Sequence, residues 1–268
     1  MKELFKRSIT GILYVFLLLA AVMLDPNAFD FLFLAFGLIC LFEFKKIIKL
    51  SGYYIFIAFM FLWWFYIYLN KEDFMIGLLL LITLLVNLFL ISNLYSKKPL
   101  ILTNAHKFII SLFYIGGGCL FLTVIPYHHT VPFAKLLIIG IFILIWVNDT
   151  FAYLVGRTFG RRKLFESVSP KKTIEGFIGG VIFSLAAAFI LAAYEDSISL
   201  WKWLLLAVVV VVTGTLGDLV ESKFKRMANV KDSGAILPGH GGLLDRLDSL
   251  IFAAPFAYIT LQIFNYVS

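Results

Sequence analysis

Apolar residues run along this chain in long, nearly unbroken stretches separated by short polar connections. Nine of them approach or reach the roughly 17–25 residues that a helix needs to cross a hydrocarbon core. They are Ile9–Leu24, Ala28–Phe44, Tyr53–Leu69, Phe74–Leu94, Phe108–Tyr127, Phe133–Val155, Ile174–Tyr194, Leu200–Val220 and Leu250–Val267. The first two are short and joined by Asp25-Pro26-Asn27, which reads as the turn of a tight helical hairpin. The pattern predicts an all-α polytopic membrane protein with about nine transmembrane helices.

Composition supports that reading. Of 268 residues, 62% are hydrophobic and 15% charged, against roughly 25% charged in ordinary soluble domains. An intrinsically disordered chain and an ordinary water-soluble globule are both excluded on this ground. The 29 Phe and 5 Trp suit lipid-facing and interfacial surface. A net charge of +7 raises the question of nucleic acid, but the distribution of the charges answers it. Alternate connections carry 20 Lys and Arg on one side and 3 on the other. Positive residues stay on the cytoplasmic side, so the N-terminus is expected in the cytoplasm and the C-terminus outside. Most basic residues, including Lys2, Lys6, Arg7, Lys45, Lys46, Lys49, Lys97 and Lys98, then read as topology signals and contacts to anionic lipid. No small-residue cleavage site follows the first basic cluster, so a secretory signal is discounted. Cys40 and Cys119 lie inside apolar runs and read as inert buried thiols, with no disulfide framework or zinc site.

Chemistry divides the chain in two. Residues 1–127 form transmembrane scaffold helices, nearly free of ionisable residues in their interiors; Asn87 reads there as a helix–helix hydrogen bond, and Gly116-Gly117-Gly118 as a place of close packing or a bend. Residues 128–268 form a catalytic region with two polar cytoplasmic loops. Asp149 ends an apolar stretch at a depth where an unpaired charge costs at least roughly 2.5–3.5 kcal/mol. It needs a cation, a metal or a water-filled cavity, or else a structural pair with Arg157. The next loop reads Ser169-Pro170-Lys171-Lys172-Thr173-Ile174-Glu175-Gly176. Thr173 is placed to cap the following helix, whose free N–H groups beside two lysines and a hydroxyl make an anion site. Gly176, Gly180, Ser184, Ala188 and Ala192 then recur every fourth residue, a close-packing face.

The second loop is denser. Asp218, Glu221 and Lys225 share one helix face. After Lys231-Asp232 and the turn Pro238-Gly239-His240-Gly241-Gly242, Asp245 and Asp248 project together from the next helix. Carboxylates beside lysines and a glycine-rich turn fit Mg²⁺ held on a polyphosphate, with glycines letting backbone approach the phosphates. His240 reads as a hydrogen-bonding residue for substrate or turn rather than a base. No G-x-x-x-x-G-K-[ST] loop and no strand-linked G-x-G-x-x-G is present.

The run Ser222–Asp248, S-K-F-K-R-M-A-N-V-K-D-S-G-A-I-L-P-G-H-G-G-L-L-D-R-L-D, resembles the signature of the phosphatidate cytidylyltransferases (CDP-diacylglycerol synthases) at every constrained position. Ser169–Gly180 resembles a second block of that family, and Asn148–Gly160 a third, more loosely; together the blocks cover about the C-terminal half. The resemblance implies that CTP and phosphatidic acid give CDP-diacylglycerol and pyrophosphate. It also implies Mg²⁺ at one or two sites and a homodimer surrounded by membrane lipids; given where the charges lie, no nucleic-acid partner is expected. The expected location is a bacterial inner (cell) membrane with the active site facing the cytoplasm. On this reading Asp218, Asp245 and Asp248 hold the metal, and Lys225, Arg226 and Arg246 steady the phosphates. Ser169, Lys171, Lys172 and Thr173 grip one anionic group from the opposite side. Ser222, Lys231, Asp232 and His240 complete the substrate contacts, and Asp149 assists the metal or orients a lysine. The competing readings are a CTP-dependent polyprenol or lipid kinase and, outside enzymes, an ion-coupled transporter. A transporter would place its acids at the midplane between inverted repeats, and no repeat is visible.

Overall fold

A computed structural model describes residues 2–69, 72–96, 100–127, 133–194, 198–236 and 241–266. Helical rods occupy all nine apolar stretches. They comprise α1 (Lys2–Leu24), α2 (Pro26–Ile48), α3 (Tyr54–Trp64) continuing as a π-helical turn to Leu69, and α4 (Asp73–Tyr95). A composite rod follows, built of α5 (Asn104–Ile110), a π-helical segment Ser111–Gly117, α6 (Gly118–Val124) and a 3₁₀ turn Ile125–Tyr127. The last four are α7 (Lys135–Phe159), α8 (Ile174–Tyr194), α9 (Leu200–Met227) and α10 (Leu244–Tyr266). Among the described residues six rods are long and apolar enough to cross a membrane: α4, the composite rod, α7, α8, α9 and α10. The apolar parts of α1 and α3 are shorter, at Thr10–Leu24 and Tyr54–Leu69. One element departs from the all-α expectation. Between α7 and α8, β1 (Lys163–Phe165) and β2 (Ser169–Thr173) pair as an antiparallel hairpin. Lys163 pairs there with Thr173 and Phe165 with Ser169, and neither helix extends through the segment.

The Asp25-Pro26-Asn27 turn forms as its chemistry requires. Asp25 caps α2 by accepting a hydrogen bond from the Asn27 N–H at 3.0 Å, and Pro26 occupies the first helical turn, where a missing N–H costs nothing. The core is rich in aromatic side chains, with Phe29, Phe33, Phe44, Phe59, Phe121 and Phe142 fully buried. Tyr114 of the π-helical segment packs edge-on to Phe44 and Phe252. The three consecutive glycines are a site of close packing: a Cβ on Gly118 would strike the Ile251 carbonyl of α10, and one on Gly117 would sit 2.6 Å from Thr83 Oγ1.

Small residues also set the spacing of the helices that carry the polar residues. Along α8 the stripe of small residues faces α7, where Ser184 Oγ donates to the Leu144 carbonyl at 3.2 Å and a Cβ on Gly180 would collide with Asn148 Oδ1. Without a hydrophobic force between helices in lipid, this intimacy of backbones is what holds them. Asn87 differs from expectation. It is fully buried on α4, yet no described protein group hydrogen-bonds its amide.

The packing generates a prediction. Gly180→Val would force α7 and α8 apart at a cost of about 1–3 kcal/mol, seen as a clear drop in the thermal unfolding midpoint in detergent. Gly77→Ala, at a position with open space around it, would leave the midpoint unchanged or slightly raised.

Candidate functional site

The polar residues of the C-terminal half gather at one end of the bundle, below the ends of the helices. Asp149 lies ten residues before the last residue of α7, about 15 Å down the helix at 1.5 Å per residue. The hairpin folds back over that depth. Thr173 Oγ1 accepts from the Gly176 N–H at 3.1 Å, so it caps the first turn of α8 as its position suggested. Glu175 Oε2 accepts from the backbone N–H groups of Arg161 and Arg162 at 2.9 and 3.1 Å, fixing the chain between α7 and β1. Lys163 Nζ donates to the Pro170 carbonyl at 2.7 Å and ties the two strands together. Successive strand residues point to opposite faces. Lys171 is accordingly exposed, and Lys172 turns inward with 28% of its side chain accessible.

Lys172 enters a recess of about 300 Å³ between α7, β2, α8 and α9, lined by Asp149, Arg157, Lys171, Thr173 and Asp218 among others. Its ammonium forms a salt bridge with Asp218. Burial opposes the charge, but Asp218, Asp149 and Asp248 together outweigh that effect and hold the lysine above its ordinary value. Asp218 also accepts from Ser222 Oγ at 3.1 Å. Asp149 is exposed into the recess and takes a long hydrogen bond, 3.4 Å, from Asn148 Nδ2. The alternative pairing with Arg157 does not form: that guanidinium reaches toward the Tyr153 hydroxyl at 3.5 Å.

One turn further along α9 stands a second charge cluster. Lys225 is in salt-bridge contact with Glu221 and 2.7 Å from Asp245 Oδ1. Asp245 also accepts from the Ser233 N–H at 3.1 and 2.9 Å and from the Gly242 N–H at 2.7 Å. Both of its oxygens are therefore engaged within the protein. Asp248, one turn deeper on α10, is buried and accepts from the Ser249 N–H at 2.7 Å. The two clusters lie on neighbouring helices that nearly touch, since a Cβ on Gly217 would run into Phe252 and sit 3.1 Å from the Asp248 carbonyl.

Other residues singled out by the sequence stand apart. Arg226 is exposed and donates to the Val230 carbonyl at 3.3 Å; Lys231 and Asp232 are exposed as well, while Arg246, exposed at the start of α10, lies within the electrostatic reach of Asp149. Ser169 lies in β2 opposite Phe165. His240 and Pro238 fall outside the described residues. Among the described residues no three His, Cys, Asp or Glu side chains converge at metal-ligand spacing; Asp149, Asp218 and Asp248 instead share the field of Lys172. Sequence reasoning passed over Glu43 of α2, which is 1% exposed and accepts from Ser233 Oγ and from the Leu243 and Leu244 N–H groups at 3.1, 3.1 and 2.8 Å. The one available signal was an acid at the end of an apolar stretch otherwise taken as scaffold. Taken together, the recess offers a lysine and surplus carboxylates, a setting for an anion accompanied by a cation.

A family model described as the cytidylyltransferase family matches residues 5–264. Proteins named phosphatidate cytidylyltransferase from Staphylococcus saprophyticus and Staphylococcus haemolyticus are each 42% identical over 167 residues. One of the same name from Staphylococcus aureus is 42% identical over 168 residues. In all three the aligned part spans 62% of this chain and 62% of the relative, less than two thirds of either.

The two lysines should respond differently to loss of charge. Lys225→Met leaves Glu221 and Asp245 buried and uncompensated, with an expected loss of about 3–5 kcal/mol in chemical unfolding. Lys172→Met, at a partly open site, is expected to cost about 0–1 kcal/mol. Acetic anhydride at pH 9 should label exposed Lys171 well ahead of Lys172, as peptide mass spectrometry would read, because Lys172 keeps its proton until pH rises past its elevated value.

Proposed function

Since this chain belongs to the cytidylyltransferase family, we propose that it is a phosphatidate cytidylyltransferase that joins CTP to phosphatidic acid, giving CDP-diacylglycerol and pyrophosphate. The observation that carries this reading is the Lys172 recess. It places a lysine, a helix N-terminus and two carboxylates where α7, α8 and α9 meet, with Asp248 of α10 within the lysine's field, below the ends of helices long and apolar enough to cross a membrane. A lipid phosphate and a soluble nucleotide can meet only at such a boundary.

In the proposed reaction a phosphatidate oxygen attacks the α-phosphorus of CTP. A new P–O bond forms, the bond from the α-phosphorus to the bridging oxygen breaks, and pyrophosphate leaves. The attacking phosphate is already ionised, so no strong general base is needed. Lys172 and the first-turn N–H groups of α8 bind one anionic group, with Lys171 at the mouth. Lys225, held between Glu221 and Asp245, is assigned to the nucleotide side together with Arg246. The donor set also suits a hard divalent cation. Asp248 Oδ2 accepts no described hydrogen bond, each Asp218 oxygen has a single partner (Ser222 Oγ on Oδ1, Lys172 on Oδ2) and so keeps a lone pair, and acids outnumber lysines around them. Mg²⁺ is bound by one or two carboxylates plus substrate phosphates, so Asp218 and Asp248 would hold it, with Asp245 contributing chiefly by anchoring its surroundings. When bound, the cation offsets the negative charge of the phosphates. The same proposal gives the chain nine membrane spans, an N-terminus in the cytoplasm, a C-terminus outside, an active site on the cytoplasmic face of the bacterial inner membrane, and a homodimeric assembly.

The test is direct. Purified protein supplied with Mg²⁺, labelled CTP and phosphatidic acid should release pyrophosphate and form CDP-lipid. Lipid phosphorylation with release of CDP would point to a kinase instead. Asp218→Asn and Asp248→Asn should each lower turnover by about 10²–10³-fold, the scale of losing one electrostatic group from a phosphoryl or acyl transfer site, with circular dichroism unchanged. A cysteine placed at Lys171 should resist membrane-impermeant label in intact cells, and ready labelling would reverse the topology.

A further inference from the structure

Glu43 sits in the half of the chain that reads as scaffold, 190 residues from Ser233 and 201 from Leu244. Its carboxylate is nevertheless surrounded by the backbone next to Asp245. Oε1 accepts from the Leu243 N–H, and Oε2 accepts from the Leu244 N–H and from Ser233 Oγ. These two N–H groups belong to the start of α10, where backbone donors have no partner within their own helix. Glu43 supplies that partner from another helix and adds a negative charge at the positive end of α10.

The surrounding chain is shaped to admit this side chain. A Cβ on Gly234 would collide with Glu43 Oε1, and one on Gly242 would lie 2.5 Å from Oε2. Both glycines belong to the stretch that carries the family resemblance, so two glycines of that stretch are explained by a carboxylate from outside it. Ser233 is held from two directions: its hydroxyl by Glu43, its N–H by Asp245. Asp245 in turn accepts from Gly242 and pairs with Lys225. The chain of contacts runs from α2 through Ser233 and the first turn of α10 to Asp245, Lys225 and Glu221 without a gap.

We propose that Glu43 is a positioning residue for the cytidylyl transfer, clamping Ser233 against the first turn of α10 so that Asp245 and Lys225 keep their places. The inference rests on the proposed function for its catalytic consequence, but the clamp itself is a structural claim. The requirement is for a carboxylate and not merely for a polar group of the same shape. In Glu43→Gln the amide NH₂ must occupy one of the two oxygen positions, and each faces a backbone N–H, so either orientation opposes two donors. Ser233→Ala removes a single bond and leaves both helix N–H groups satisfied.

Hydrogen exchange in detergent and steady-state kinetics test this together. In Glu43→Gln, amides of residues 233–236 and 241–247 should exchange at least tenfold faster, while the 163–173 hairpin keeps its wild-type rate. The kcat/KM for CTP should fall at least tenfold, with the KM for phosphatidic acid within twofold of wild type. Ser233→Ala should show the same signs more weakly, and Glu43→Asp, which keeps the charge but shortens the reach, should fall between. Unchanged exchange in 233–247 overturns the clamp, as does acceleration spread equally over the whole chain in both Glu43→Gln and Ser233→Ala. Selective exchange with unaltered kinetics in an active protein overturns its role in catalysis. A wild-type protein that forms no CDP-lipid would refute the proposed function, and the exchange result would still decide whether the clamp exists.

Discussion

Lys225 stands between Glu221, four residues earlier on α9, and Asp245 at the start of α10, and the organisation of this end of the molecule depends on that contact. Three charges with little access to water are tolerable only together. Removing ions from water costs several kcal/mol each, and mutual attraction repays this only with close geometry and further hydrogen bonds. Those bonds come from the Ser233 and Gly242 N–H groups, which converge on Asp245. The need to satisfy one buried lysine therefore fixes how α9, α10 and the chain between them sit together.

The same constraint acts again one turn deeper. Asp218, on the same face of α9, faces Lys172 from the hairpin, and Asp149 of α7 and Asp248 of α10 share that field. Here the acids outnumber the one lysine in contact with them, Arg246 and Lys225 act on Asp149 and Asp248 from further off, and the recess beside Asp149 and Asp218 is open. The outer cluster has its charges matched within the protein, whereas the inner one has more acids than lysines beside an open recess.

Charges can converge only because helices approach closely. Gly180 on α8 and Gly217 on α9 let backbones come within contact of Asn148 and of Phe252 and Asp248, respectively. The π-helical segment Ser111–Gly117 performs a similar service on the other side of α10 by presenting glycines to its neighbours. Hairpin and helix caps then aim the side chains, with Thr173 and Glu175 both spending their polar atoms on backbone N–H groups.

Much of this was legible in the chain itself. Hydrophobic run length located all nine helical rods, because a stretch of apolar residues that must bury or solvate its backbone in lipid has few options besides a helix. Spacing alone put Asp218, Glu221 and Lys225 on one face and made Thr173 a cap. The short hairpin was not legible, since its residues, Lys163–Phe165 and Ser169–Thr173, carry no alternating apolar pattern. Nor was the fate of Asn87, whose surroundings come from other helices.

What sequence determined by itself was therefore which stretches are helical, to within several residues at their ends, and which acids and bases share a face. Tertiary structure decided which of those charges meet. It joined Lys172 to Asp218 across 46 positions and turned Arg226 outward. It also brought Glu43 from α2 to the start of α10. Electrostatic pairing in a low-dielectric interior depends on distance through space, and distance through space is not encoded in any local pattern.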